Sequence, residues 1–112
     1  VLAEAFRAAI NALNLKIVAE KGYEADTVTA IYYPEGIDDN KFRNEMKNRG
    51  IVVASTLGPL KGKGFRVGHM GNVNQNDIAA TISAIETTLQ HLGYNISLGS
   101  GLKAAEERIL SA

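Results

Sequence analysis

A chain of 112 residues in which lysine plus arginine (12) balance aspartate plus glutamate (12) carries no broad field that would draw it to nucleic acid or to an anionic membrane. Its hydrophobic content of 46% suits one domain with a real core, while the absence of cysteine excludes a disulfide framework and a thiolate metal site. No apolar run approaches the roughly 18 to 20 residues of a membrane span and no signal-peptide pattern is present, so a cytoplasmic location is expected.

The chain begins at Val1, already inside a helical pattern, which reads as a piece of something longer. Leu2, Phe6, Ala9, Ile10 and Leu13 recur at helical spacing and predict an amphipathic helix ending near Asn14, with a stripe that needs a sheet. A weak strand signal follows near Lys16 to Ala19. "TVTAIYY", Thr27 to Tyr33, is β-branched and aromatic and is stopped by Pro34, so it predicts a strand. Asp38 then caps a helix, Ile37 and Phe42 have the spacing of a hydrophobic staple, and Gly50 closes the helix after Arg49.

"IVVAS", residues 51 to 55, predicts a short strand, "TLGPLKGKG" a glycine-rich connection, and "FRVGHM" a further strand, with antiparallel pairing among the three. Asn74 caps the next helix, whose stripe is Ile78, Ile82, Ile85, Leu89 and Leu92 and whose end is Gly93. A last helix, Ser100 to Leu110, carries Leu102, Ala105 and Ile109 on one side. The expected fold is α+β in one domain, residues 1–112: helices packed on a small, mostly antiparallel sheet.

Several motifs fail on inspection. "GPLKGKG" lacks the glycine spacing, the hydroxyl after Lys63 and the following helix of a phosphate loop. "GSGLKA" matches a dinucleotide fingerprint only formally, because the chain ends before the required acidic residue, so it reads as a loop and helix cap. "NIS" at Asn95 is a formal glycosylation signal without meaning in a cytoplasmic protein. The isolated His69 and His91 make no metal site, and no serine, histidine and acid assemble into a triad.

"FRVGHMGN", residues 65 to 72, is the remaining candidate. Alternation puts Arg66 and Gly68 on one strand face and Phe65, Val67 and His69 on the other. By residue type alone Arg66 reads as a surface arginine paired with an acid, and His69 as a hydrogen-bonded, partly buried side chain. A slot beside Gly68 could also admit an anion.

"YYPEGID", "RGIVVA", "GPLKGK" and above all "FRVGHMGNV" stand in the order and spacing of one family, and the likeness extends over nearly the whole chain. It resembles the C-terminal small domain of class V, fold-type I, pyridoxal-phosphate aminotransferases of the alanine–glyoxylate and serine–pyruvate group. The resemblance implies that Arg66 binds the substrate α-carboxylate and that Ser55, Thr56 and Gly68 lie near the active-site mouth, with Ser55 and Thr56 standing where relatives often have glycine. It also implies amino-group transfer between alanine, serine or aspartate and glyoxylate or pyruvate. The pyridoxal phosphate, with its Schiff-base lysine, would belong to a large domain outside this chain, in an enzyme expected to be a homodimer. Lys61 and Lys63, in a glycine-rich loop, are not candidates for that lysine, and the chain alone is expected to be inactive. A free-standing ligand-binding or structural module is the alternative that architecture leaves open.

Overall fold

The computed structural model describes residues 2–18, 28–56, 62–68 and 75–111. Its elements are α1 (Leu2–Ala12), β1 (Val28–Tyr32), α2 (Asp39–Asn48), β2 (Ala54–Ser55), β3 (Gly64–Gly68), α3 (Gln75–His91) and α4 (Ser100–Ser111). The strands form an antiparallel sheet in the order β1-β3-β2. Segment 16–18 lies along the outer edge of β1: Ile17 bridges Ile31, and the Val18 amide donates to the Ala30 carbonyl at 2.9 Å. The weak strand signal there is thus a single bridge, and Ala19 lies outside the described residues.

Three helices end in the same way, each for a reason visible in the sequence. In α2 the Gly50 amide donates to the Lys47 carbonyl and the Ile51 amide to the Met46 carbonyl, both at 2.9 Å, with Gly50 at φ +86°. This is a Schellman closure, which needs a residue in the left-handed region. Gly93 fills that place after α3 and Asn14, at φ +60°, after α1. The next residue in each case, Leu15, Ile51 or Tyr94, is apolar or aromatic and packs on the core. Asp38 caps α2 as its sequence indicates, accepting from the Lys41 amide at 3.0 Å.

Phe6, Ile10, Ile31, Phe42, Met46, Phe65, Ile82, Ile85 and Leu89 are all fully buried and form one core with the helix-facing side of the sheet. Phe42 and Phe65 stack with ring centroids 4.5 Å apart, and Tyr33 meets Phe42 edge-on at 5.2 Å. Two expectations are revised. The α1 stripe packs chiefly against α4 and only lightly against β1, because α4 brings its own apolar side to the same place. The expected strand 51–55 contracts to Ala54–Ser55, since the Ile51 amide is taken by the helix closure and Val52 stands 85% exposed. Strand β3 starts one residue earlier than expected, at Gly64; His69, Met70 and the Asn74 cap lie outside the described residues.

Glu86 of α3, only 4% exposed, supplies the cap of α4. Its carboxylate accepts from the Gly99 and Gly101 amides, both at 2.9 Å, and from the Leu102 amide at 3.3 Å. A negative charge at a helix N-terminus is favourable, and these amides would otherwise lack an intrahelical acceptor. A Cβ on Gly101 would lie 2.8 Å from Glu86 Oε2 and 3.0 Å from Leu13 Cδ1, so the glycine is set by close approach. Glu86→Ala is expected to destabilise the chain by about 3 kcal/mol in urea unfolding, because three amides lose a charged acceptor. The exposed Glu106→Ala is expected to change it by less than about 0.5 kcal/mol. Equal effects would refute the capping role.

Candidate functional site

Strand β3 is the central strand, so each of its residues has a neighbour on either side. Phe65 and Val67 point into the core, and Arg66 emerges on the opposite face. Its cross-strand partners are Ala30 on β1 and Ala54 on β2. Along its own strand the same face holds Gly64 and Gly68, so its nearest neighbours are no larger than a methyl group, while Tyr32, paired with Gly64, stands diagonal to it on the β1 side. Gly64 is further required by packing, since a Cβ there would stand 2.3 Å from the Ile31 carbonyl oxygen.

The Arg66 side chain is half-buried and its Nε donates to the Ser55 main-chain oxygen at 2.9 Å. The Thr56 amide, just past β2, donates to the Gly64 carbonyl, so by alternation Ala54 is the residue of β2 that bonds to β3. The Ser55 carbonyl therefore faces the free edge of the sheet. Ala54 is the residue of β2 directly opposite Arg66. Among the described residues no carboxylate pairs with Arg66, in contrast to the acid-paired surface arginine that residue type alone suggests. Among the described residues the Ser55 carbonyl is the acceptor of Arg66, through Nε, and a planar guanidinium offers further paired donors that match the geometry of a planar anion.

Of the other residues singled out in the sequence, Ser55 joins Arg66 through its backbone and Gly68 lies two positions along on the same face. Thr56 is 1% exposed and its hydroxyl donates to the Gly64 carbonyl at 3.4 Å, so its side chain is turned into the sheet. His69 and Lys61 lie outside the described residues, and His91 pairs with Glu45 at 3.1 Å between α3 and α2. Lys16, Lys41, Lys47, Lys63 and Lys103 are all exposed. None stands in an enclosed pocket of the kind Schiff-base chemistry needs, so the described residues do not fit as the anchor of a pyridoxal cofactor. Among the described residues there is no cluster of three metal-ligating side chains and no helix long and apolar enough to cross a membrane.

No protein-family model matches the chain. A serine–glyoxylate aminotransferase of Hyphomicrobium methylovorum is 40% identical over 108 residues, which cover 95% of this chain and 27% of that protein. A protein of a Synechococcus strain named soluble hydrogenase, small subunit, is 42% identical over 112 residues, covering 98% of this chain and 29% of that protein. The crystal structure of pyridoxamine–pyruvate aminotransferase from Mesorhizobium loti aligns with a TM-score of 0.89 at 29% identity, over 98% of this chain and 29% of that one. The chain thus spans less than a third of the curated relatives it matches. Likeness in sequence and in fold covers the same stretch, an α+β layer that forms one part of larger aminotransferases. The chain belongs to the class V aminotransferases, as their small domain.

A second polar group, which the sequence reading did not single out, joins the sheet to α2. Tyr33, just past β1, donates its hydroxyl to Asp39 Oδ1 at 2.6 Å, and Arg43 Nε and Nη2 donate to Asp39 Oδ2 at 3.1 and 2.9 Å. The Asp39 to Arg43 spacing of four could have signalled the ion pair; nothing local signals Tyr33. Burial of Asp39 opposes its ionisation, but the hydrogen bonds from Tyr33 and Arg43 outweigh that and hold its carboxyl below the usual range. Burial, reinforced by the Asp39 bond, pushes the Tyr33 phenol up, so it stays protonated as the donor. A depressed carboxyl pKa contributes stability that is fully present above the unfolded-state value, about 3.9, and is lost as pH falls through the lower folded value. Acid unfolding below about pH 4 is accordingly expected to be shallower in Asp39→Asn than in the parent, with the mutant less stable at pH 7. Unfolding curves collected across that range test this; parallel pH profiles would overturn it.

Proposed function

We propose that the chain is the C-terminal small domain of a pyridoxal-phosphate-dependent aminotransferase and that Arg66 holds the substrate α-carboxylate. The enzyme moves an amino group between a small amino acid (alanine, serine or aspartate) and a 2-oxo acid (glyoxylate or pyruvate). One relative is named for serine and glyoxylate and a structural neighbour for pyruvate, which supports this range of substrates. The hydrogenase name stays with its own protein; this chain has no cysteine to serve as a thiolate ligand. The observation that carries the reading is the half-buried Arg66 on the central strand, with no carboxylate partner among the described residues.

In this reading the large domain, outside the chain, holds the cofactor, and the working unit is a cytoplasmic homodimer. The sheet face bearing Arg66 meets the large domain, a reading supported by Val52, next to β2, standing 85% exposed. What this chain contributes to turnover is orientation. A guanidinium matches both oxygens of a carboxylate and so fixes the plane and distance of the amino acid, which sets the direction in which its Cα–H bond is presented. Electron withdrawal from that carbon is the task of the cofactor. Because every α-amino acid carries the same carboxylate, Arg66 selects the class and leaves the choice of side chain to other groups.

In the intact enzyme, Arg66→Lys and Arg66→Ala are expected to lower kcat/KM for alanine and serine by about 30- to several-thousand-fold, equivalent to about 2 to 5 kcal/mol. The internal Schiff-base absorbance should persist, and amines lacking the carboxylate should lose far less. Equal losses for both kinds of substrate would refute the assignment. The isolated chain, incubated with pyridoxal phosphate and dialysed, is expected to retain no absorbance near the visible edge. A band that borohydride fixes onto Lys61 or Lys63 would overturn the placement of the cofactor.

A further inference from the structure

Arg66 does more than present a charge, because one of its nitrogens is already in use. A guanidinium can take a carboxylate through either of two edges: end-on through Nη1 and Nη2, or side-on through Nε and one Nη. The Nε–H of Arg66 donates to the Ser55 carbonyl oxygen at 2.9 Å, which removes the side-on edge. That carbonyl is free to accept because it faces away from β3, at the open edge of β2. Ala54 is the directly opposed neighbour of Arg66, and cross-strand Cβ atoms stand about 5 Å apart, so the register puts Ala54 beside the path from the Arg66 Cα to that carbonyl. Ala30, Gly64 and Gly68 are too small to dictate a rotamer, and the larger Tyr32 stands on the β1 side of the strand, away from Ser55. The Ser55 bond sets the side-chain direction, and the small size of Ala54 keeps the path to it open.

We propose that the Ser55 carbonyl locks Arg66 into end-on carboxylate binding through Nη1 and Nη2, with Ala54 as the positioning residue that permits the lock. The inference rests on the reading of Arg66 as the carboxylate-binding group and adds how that group is aimed. A β-branched side chain at position 54 would lift the arginine stem off the strand, break the Nε bond and let the guanidinium turn. The positive charge would remain but its plane would be lost.

The test uses the full-length enzyme. Ala54→Val is expected to lower kcat/KM for alanine and serine on the order of 10- to 100-fold, mainly through KM, since displacement of a positioning group by about 1 Å has effects of that size. Turnover of an amine without a carboxylate should be unchanged, and Ala54→Ser, larger by one atom, should restore carboxylated substrates to near the parent. A merely structural role for Ala54 would lower both kinds of turnover together and would overturn the proposal, as would a parental KM in Ala54→Val. Nitrogen-resolved NMR of the unmutated enzyme gives a reading independent of any variant's folding. The Arg66 Nε–H resonance, assigned by its loss in Arg66→Lys, should hold its shift when propionate saturates the site while the Nη resonances move. A large Nε shift would mean side-on binding and would refute the lock. If Arg66→Ala leaves the preference for carboxylated substrates intact, the parent reading fails; if that preference collapses but Ala54→Val behaves as the parent, only the lock fails.

Discussion

Everything at the candidate site depends on the register of β3. Phe65 is fixed in the core by Phe42, at a ring separation of 4.5 Å, and by its pairing with Ile31. Alternation then leaves Arg66 no choice but the opposite face. A slip of one residue would bury a guanidinium among phenylalanines and expose Phe65, so the hydrophobic effect that builds the core also aims the arginine. The central position matters as well. An edge strand would give the arginine one neighbour, whereas β3 flanks it with Ala30 and Ala54, and β2 supplies the carbonyl that holds Nε.

Local structure was legible where the signal was local. The pairs Asn14-Leu15, Gly50-Ile51 and Gly93-Tyr94 mark helix ends because a left-handed residue followed by an apolar one satisfies the last carbonyls and packs at the same time. The period-2 pattern of β3 assigned Arg66 to the face it occupies, and the resemblance of "FRVGHMGNV" identified the family. Long-range partners were not legible. Glu86 reaches amides 13 to 16 residues further along the chain, and neither its type nor its neighbours distinguish it from any other helical glutamate. The shortening of β2 follows from competition: the Ile51 amide can close α2 or extend the ladder, and the closure takes it.

Ser55 and Thr56 show how one dipeptide can serve two layers. Thr56 is buried and its amide and hydroxyl both engage the Gly64 carbonyl, so it fixes β2 to β3. Ser55, one residue earlier, turns its carbonyl to the opposite edge and holds Arg66. Its bond to Arg66 is made by the backbone, while its hydroxyl is a further hydrogen-bond donor to Asp39.

The energetic logic of the site follows from partial burial. A guanidinium has five N–H donors, and a carbonyl satisfies one of them in Arg66. Full burial would leave the others without partners at a large desolvation cost, while full exposure would let water and salt screen the charge and leave the side chain free to rotate. The intermediate exposure of Arg66 avoids both extremes. On the proposed reading, water solvates the terminal nitrogens until a carboxylate displaces it, and the Nε bond has already fixed the plane. Part of the ordering entropy of binding is thereby met during folding, by the same ladder that pairs Ala54 with Arg66. An arginine tied to a surface carboxylate would have to surrender that partner before accepting another, with little net gain. Anchoring through a neutral carbonyl orients the cation without neutralising it, which is the condition a carboxylate-binding group has to meet.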